Sequence, residues 1–458
     1  FFPLFFYIML WRLHQSRLSS QLGLGRMKIS VLFLSLLLWF AQFVNGLELH
    51  PSCTASNEDS TLKIFHVSSP CSPLRSAAPI SWEDNVLKRQ DVDSTRALYL
   101  ANLAGTKPHI PVASGKETVE YPSYITMAKV GTPPQTLFMT MDISSDTAWV
   151  PCAGCAWCTS AMLNTSHSTT FERFHCSSPL CKEVPKSVCS GTGKCYYSTS
   201  YSGSILEADL SADTLTLAAD AIPKYAFGCL LKVTGVAFPP QGLLGLGRGP
   251  LSLLSQTHNL YKSTFSYCLP SLASFNFTGS LRLGLAGQPR TIRTTRLLSN
   301  PRRPSLYYLE LMGIRIGNKI LFTPPSGRHD TTTGGGTVLD TGTLYTQLVP
   351  ELYNAVRNEF RRQVSTTVNA TVLGGFDTCY KFPIAPPRIS FLFSGLKMTL
   401  HPENYLIHSS YGGTTCLAMS AAKPGNVLNV IGSMQQQNHR VLIDVPRSRV
   451  GMSRATCS

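Results

Sequence analysis

Two segments of this 458-residue chain repeat each other at long range, and that repeat constrains the fold more than any other feature. Met139-Thr140-Met141-Asp142-Ile143-Ser144-Ser145 and Thr337-Val338-Leu339-Asp340-Thr341-Gly342-Thr343 each run an apolar, β-type stretch into a carboxylate followed by small residues. A second pair follows in the same order. Gly242-Leu243-Leu244-Gly245-Leu246-Gly247 comes after the first loop and Asn429-Val430-Ile431-Gly432-Ser433 after the second. The pattern describes a duplicated lobe, with one buried Asp from each copy. A lone Asp at the end of a strand usually caps a loop. Two such loops, each with its matching glycine segment, point instead to a shared site. Two carboxylates brought together can share a proton and activate a water.

Short alternating strands bounded by Gly and Pro continue through most of the chain, as at Tyr124–Val130, Thr136–Met141, Leu215–Leu217, Ser280–Leu283, Tyr307–Leu311, Ile314–Ile316 and Arg440–Val445. Glu351 to Val364 reads as an amphipathic helix, since Leu352, Val356, Phe360 and Val364 recur every four residues. The fold class is therefore all-β, with a few short helices. Residues 290–304 are basic and poorly periodic, and read as a crossing between two lobes.

The N-terminal part has another character. Met27-Lys28, an apolar run from Ile29 to Val44 and then Asn45-Gly46 have the form of a secretory signal at 27–46. Residues 1–26 read as upstream sequence outside the natural protein. Residues 47–115 are polar and read as a pro-segment. They carry a charged, helix-compatible piece from Asp84 to Arg96, and Lys88-Arg89 within it is either a processing site or an exposed helix face. The lobes are then 116–300 and 301–458. A secretory leader makes disulfides the default for the 14 Cys, twelve of which lie from Cys152 onward and could pair among themselves. Cys152-x2-Cys155-x2-Cys158 has a metal-like spacing, but in an oxidising compartment no metal is expected there. Asn164, Asn276 and Asn369 open glycosylation sequons. The net charge of +15 reads first as a solvated basic surface, with dense Arg at Arg290, Arg293, Arg296, Arg302 and Arg303. The sharper alternative is attraction to polyanions such as acidic cell-wall polysaccharide. No aromatic-plus-basic motif for specific nucleic-acid binding accompanies it.

Taken together, these residues look like a pepsin-type aspartic peptidase, and more closely the plant nepenthesin-like group. The paired Asp loops carry the resemblance, together with Trp149-Val-Pro-Cys152, the cysteines from Cys152 to Cys195, and Gln241-Gly-Leu-Leu-Gly-Leu-Gly-Arg-Gly249. Ile431-Gly-Ser-Met-Gln-Gln-Gln-Asn-His-Arg440, Val450-Gly-Met452 and Cys457 complete it. The resemblance implies a bilobal fold with the active cleft between the lobes, and Asp142 with Asp340 as the catalytic pair. It makes Tyr201 the substrate-covering flap residue and Ser145, Thr341, Gly342 and Thr343 the support of the carboxylates. Gly245 and Gly432 would lie beneath the loops, and Cys379 would pair with Cys416. It implies no cofactor, a peptide or protein substrate, a monomer free of the membrane once the signal is removed, and secretion to the apoplast, with vacuole or plastid as alternatives.

The first loop departs from the family's Asp-Thr/Ser-Gly-Ser/Thr pattern. In the family, Thr hydroxyls from both loops bond across to the opposing loop, and Ile143 has none. Ser144 adds a Cβ where Gly is favoured. The expectation is a secreted aspartic endopeptidase of reduced activity. The alternative is an impaired member of the same fold acting as a binding or inhibitor protein.

Overall fold

The computed structural model describes residues 61–66, residues 84, 86, 87, 89, 90, 92, 93 and 96 of a helix, and 124–457 apart from seven short loop segments (159–160, 236–237, 271–278, 286–287, 365–368, 382 and 410–412). The predicted signal and the Asn276 sequon lie outside the described residues.

The duplication in the sequence is a duplication in space. Strand Gln135–Asp142 runs parallel to Leu243–Gly245, with Thr140 opposite Leu243 and Asp142 opposite Gly245. Strand Gly336–Leu339 runs parallel to Leu428–Ile431, with Leu339 opposite Ile431. The returning strand is also antiparallel to the one that leaves its Asp loop: Leu243 faces Trp149 in one lobe and Val430 faces Gln347 in the other. Each Asp thus lies at a strand end, boxed in by its own lobe. Both glycines are required by close approach. A Cβ at Gly245 would come within 2.5 Å of the Asp146 carbonyl oxygen, and one at Gly432 within 2.5 Å of that of Leu344.

The lobes are joined by a continuous antiparallel run: Thr61–His66, Gly279–Leu283, Thr264–Cys268, His439–Asp444, Arg449–Arg454 and Thr294–Leu298. Two members differ from expectation. Thr61–His66 lies in the polar segment 47–115, yet it pairs with both Gly279–Leu283 and Tyr124–Val130 and buries Ile64 completely. Leu62-Lys63-Ile64-Phe65 was too short an apolar signal against polar surroundings. Thr294–Leu298 lies in the segment read as a crossing. Its apolar side chains Leu297 and Leu298 sit among exposed arginines, which hid the period. Arg290, Arg293, Arg296 and Arg302 are exposed as expected, but Arg303 is buried and bonds the Gly334 carbonyl.

All twelve cysteines from Cys152 onward pair with one another: Cys152–Cys229, Cys155–Cys158, Cys176–Cys189, Cys181–Cys195, Cys268–Cys457 and Cys379–Cys416. The metal-like triplet is therefore divided between two bridges. The expected helix spans Pro350–Gln363 and buries Leu352, Val356 and Phe360. No helix among the described residues is long and apolar enough to cross a membrane.

Phe265 sits at the middle of the joining sheet, opposite Leu283 on one side and Ile443 on the other, with its ring 6.0 Å from that of Tyr307. Replacing it with Ala should destabilise the protein by about 3–5 kcal/mol in chemical denaturation, because the surrounding strands cannot collapse into the void.

Candidate active site

The two Asp loops meet at the floor of the cleft. Asp142 and Asp340 are both fully buried. The Ile143 N–H donates to Thr341 Oγ1 at 3.3 Å, and the Thr341 hydroxyl donates to the Met141 carbonyl at 3.0 Å. One half of the cross-brace is therefore present. Ile143 returns no hydroxyl and instead packs its side chain into the apolar core. Fourth-position hydroxyls hold one oxygen of each carboxylate: Ser145 Oγ donates to Asp142 Oδ2 at 3.0 Å and Thr343 Oγ1 to Asp340 Oδ2 at 2.7 Å. The remaining oxygens take third-position amides, Ser144 N–H to Asp142 Oδ1 at 2.8 Å and Gly342 N–H to Asp340 Oδ1 at 3.3 Å. The Ser144 hydroxyl adds a further bond to Asp142 Oδ1 at 2.7 Å.

Tyr201 ends strand Cys195–Tyr201, and Ser202-Gly203 turns the chain into the long strand Ser204–Leu217. Both turn residues have positive φ, 47° and 86°, the geometry that matches the twist of a tight hairpin and that Gly adopts readily. The Tyr201 hydroxyl donates to Asp142 Oδ2 at 2.7 Å, and its ring meets Trp149 edge-on at 5.8 Å.

The sequence reading missed what fills the space between the carboxylates. Arg96, from the helical piece within residues 47–115, is completely buried there. Its Nη2 lies 2.8 Å from Asp142 Oδ1, 2.7 Å from Asp142 Oδ2 and 3.3 Å from Asp340 Oδ1, while its Nε reaches Asp340 Oδ2 at 3.2 Å. The guanidinium also stacks on the Tyr201 ring at 5.0 Å. Three residues earlier on the same helix, Asp93 accepts the Leu344 and Tyr345 N–H groups at 2.7 and 2.6 Å. Val86 packs against Leu344, Tyr345 and Phe376, and Val92 joins the cluster of Trp149 and Tyr201. The helix therefore touches both lobes. Arg89 of the dibasic pair is buried rather than on an exposed helix face. Only a helical wheel drawn on a known cleft could have shown that Arg96, Asp93 and Val92 share one face.

Burial alone would raise the Asp142 carboxyl. Arg96, the Tyr201 hydroxyl and both donors of Ser144 outweigh it and hold the group below the usual carboxylate range. Asp93 goes the other way: burial outweighs the two amides and Arg89 and pushes it up to about 8. Asp146, four residues after Asp142, is also raised, by burial, against bonds from Ser305, Gly249 and Arg248. It joins its loop to Ser305 in the other half and to the Gly249 amide at 2.7 Å.

Comparison with known proteins fits this geometry. Residues 124–285 match the family model described as "Xylanase inhibitor N-terminal", and residues 306–454 that described as "Xylanase inhibitor C-terminal". The chain is 43% identical to "Aspartyl protease AED3" of Arabidopsis thaliana over 442 residues, covering 93% of this chain and 98% of that one. It is 40% identical to "Aspartyl protease 25" of Oryza sativa subsp. japonica (87% and 94% covered). Against "Aspartic proteinase nepenthesin-1" of Nepenthes gracilis the identity is 34% (75% and 81% covered). The chain belongs to the plant pepsin-like, atypical aspartic peptidase family. At the level of fold alone it resembles the crystal structure of soybean basic 7S globulin. There the TM-score is 0.60 and the identity 21%, over 73% of this chain and 94% of that one.

Other positions singled out in the sequence lie away from this peptidase-family site. Cys379 and Cys416 bridge neighbouring strands. Asn164 caps a short helical turn by accepting from Ser166, and Asn369 is exposed. The glutamine run carried the family likeness with no assigned role, and it proves to be the buried scaffold of the second loop. Gln436 Nε2 donates to the Asp340 and Ile431 carbonyls at 3.1 and 2.8 Å, and its Oε1 accepts from the Tyr267 hydroxyl. Gln435 Oε1 accepts from Thr346 N–H and Oγ1 at 3.0 and 2.7 Å. Gln436→Leu leaves the Asp340 carbonyl and the Tyr267 phenol buried without partners, while the Ile431 carbonyl keeps the Asp340 N–H at 3.2 Å. It should lower unfolding free energy by about 3 kcal/mol in a urea titration, given 1–3 kcal/mol for each orphaned group.

Proposed function

We propose that this chain is an aspartic-type endopeptidase made as a precursor, with residues 47–115 as its pro-segment and the helix at 84–96 closing the site. The observation that carries the reading is that Asp142 and Asp340, 198 positions apart, both bond one guanidinium nitrogen. Two carboxylates placed that closely favour a singly charged pair. With Arg96 withdrawn, a water takes its position. Asp142, rich in donors, keeps its charge and accepts a proton from that water as it attacks the scissile carbonyl. Asp340 donates a proton to the carbonyl oxygen, giving a tetrahedral diol without a covalent enzyme intermediate. Tyr201 covers the substrate and excludes solvent. Peptide would lie extended along the cleft.

The relatives named as aspartyl proteases support peptide or protein as the substrate class. The leader at 27–46 and the bridged cysteines support secretion to the apoplast. Lys88-Arg89 can serve in processing only after the helix has left, since Arg89 is buried while docked. The inhibitor reading draws on the descriptions of the family models, but it gives no reason for two carboxylates so fully furnished with donors.

Expressed from about Leu47, processed and acidified, the protein should cleave denatured globin and be blocked by pepstatin. Asp340→Asn should reduce the rate by about 100- to 10,000-fold, the worth of general acid–base catalysis by one such group. No pepstatin-sensitive cleavage at any acidic pH refutes the peptidase reading.

The pro-segment reading has its own pH dependence. Asp93 stands at about 8 when docked and near 3.9 when free. Between those values the docked form holds a proton that the free form has lost, so docking weakens as pH rises, by up to about tenfold per unit. Asp142 acts in the opposite sense. Its pair with Arg96 is complete above the ordinary carboxylate pKa and is lost as pH falls through the lowered value. A peptide of residues 84–96 should bind the mature protein more weakly at pH 8 than at pH 5 by calorimetry, and an Asp93→Asn peptide should show no such slope. Affinity that climbs toward pH 8 contradicts this account.

A further inference from the structure

The departure of the first loop at position 144 places a new hydroxyl at the reacting face. At the equivalent place in the second loop, a Cβ on Gly342 would meet the Arg96 guanidinium carbon at 3.1 Å, so this loop position opens onto the cleft. Ser144 fills the matching position, and its Oγ accepts from Arg96 Nη2 while donating to Asp142 Oδ1 at 2.7 Å. Its backbone is not among those at positive φ, so the conformation is one that a residue with a Cβ adopts readily. The two carboxylates are consequently unequal. Asp142 Oδ1 receives an amide at 2.8 Å and a hydroxyl at 2.7 Å, whereas from its own loop Asp340 Oδ1 receives an amide at 3.3 Å.

We propose that Ser144 is a positioning residue whose hydroxyl decides which carboxylate of the pair keeps its charge. This rests on the peptidase reading above. The groups facing Asp142 are Arg96 from the helix at 84–96, Tyr201 from the flap, Asp340 across the cleft and Asp146 on its own loop. Once Arg96 has left, Ser144 and Tyr201 remain as side-chain donors unique to Asp142, since Ser145 is matched by Thr343 opposite. A donor to the ionised form stabilises it. Ser144 therefore keeps Asp142 ionised, as the base, to lower pH than a Gly-containing loop would. Its O–H keeps donating to Asp142 Oδ1, and its own lone pairs, now used by Arg96, face the position of the attacking water. The missing hydroxyl at Ile143 and the extra one at Ser144 are thus separate changes. The first removes a brace between loops, and the second adds a bond to the carboxylate itself.

The test is the pH profile of kcat/KM for the processed enzyme and its Ser144→Gly, Ser144→Ala and Ser144→Thr variants. The acid limb should move to higher pH by about one unit in the Gly and Ala variants. Ser144→Thr retains a hydroxyl and should stay with the parent. Gly and Ala differ in bulk, so a shared shift reports the lost hydroxyl rather than altered packing. An acid limb that stays in place in both, or a Thr variant that shifts with Ala, overturns the proposal. If the parent cleaves nothing at any pH, the peptidase reading falls by itself. Carboxyl-carbon NMR titration of Asp142 in the full Arg96→Ala chain then reads Ser144 without turnover. Asp142 should titrate higher when Ser144→Ala is added, and an unchanged titration overturns the proposal.

Discussion

Holding two carboxylates together out of water is the constraint on which the rest of this structure depends. Like charges 4 Å apart repel by roughly 4 kcal/mol at an effective dielectric of about 20. Each carboxylate also loses its hydration on burial. The fold answers with directed donors. Asp142 takes bonds from Ser144, Ser145 and Tyr201, and Asp340 from Gly342 and Thr343. Those donors are fixed because the loops are wedged against Gly245 and Gly432, where no side chain fits. The glutamine run then secures the second loop from below through its own carbonyls. The Arg96 guanidinium supplies the remaining counter-charge.

That counter-charge links site to folding. Arg96 is buried at no exposure, a position affordable only because two carboxylates and an aromatic face meet it. The helix that carries it is anchored at Asp93 to the two amides just beyond the second Asp loop. The strand at 61–66 is built into the sheet that joins the lobes. The segment 47–115 thus contributes to both the frame and the cleft, which its polar composition conceals.

Much of the site was legible in advance because it is local. Asp142, Ser145, Thr341, Gly342 and Thr343 sit within two short loops whose repeat announces a shared geometry. Tyr201 was placed by the family resemblance. The helix at 350–363 followed from a clear four-residue period. What escaped were contacts across long sequence separation. Arg96 reaches Asp340 over 244 positions, and Gln437 reaches Tyr124 over 313. Strand Thr294–Leu298 escaped for another reason: exposed arginines broke the apolar alternation on which a short strand is recognised.

The sequence by itself determined the duplicated lobe, the two carboxylates, the β-rich class and the loss of a hydroxyl at Ile143, since each is written in local residue order. Only the tertiary structure decided that Ser144 returns a hydroxyl to Asp142 and that Arg96 fills the space between the pair. Hydrogen bonds and ion pairs depend on ångström-scale approach, and that approach is set by packing between segments that the chain order keeps far apart.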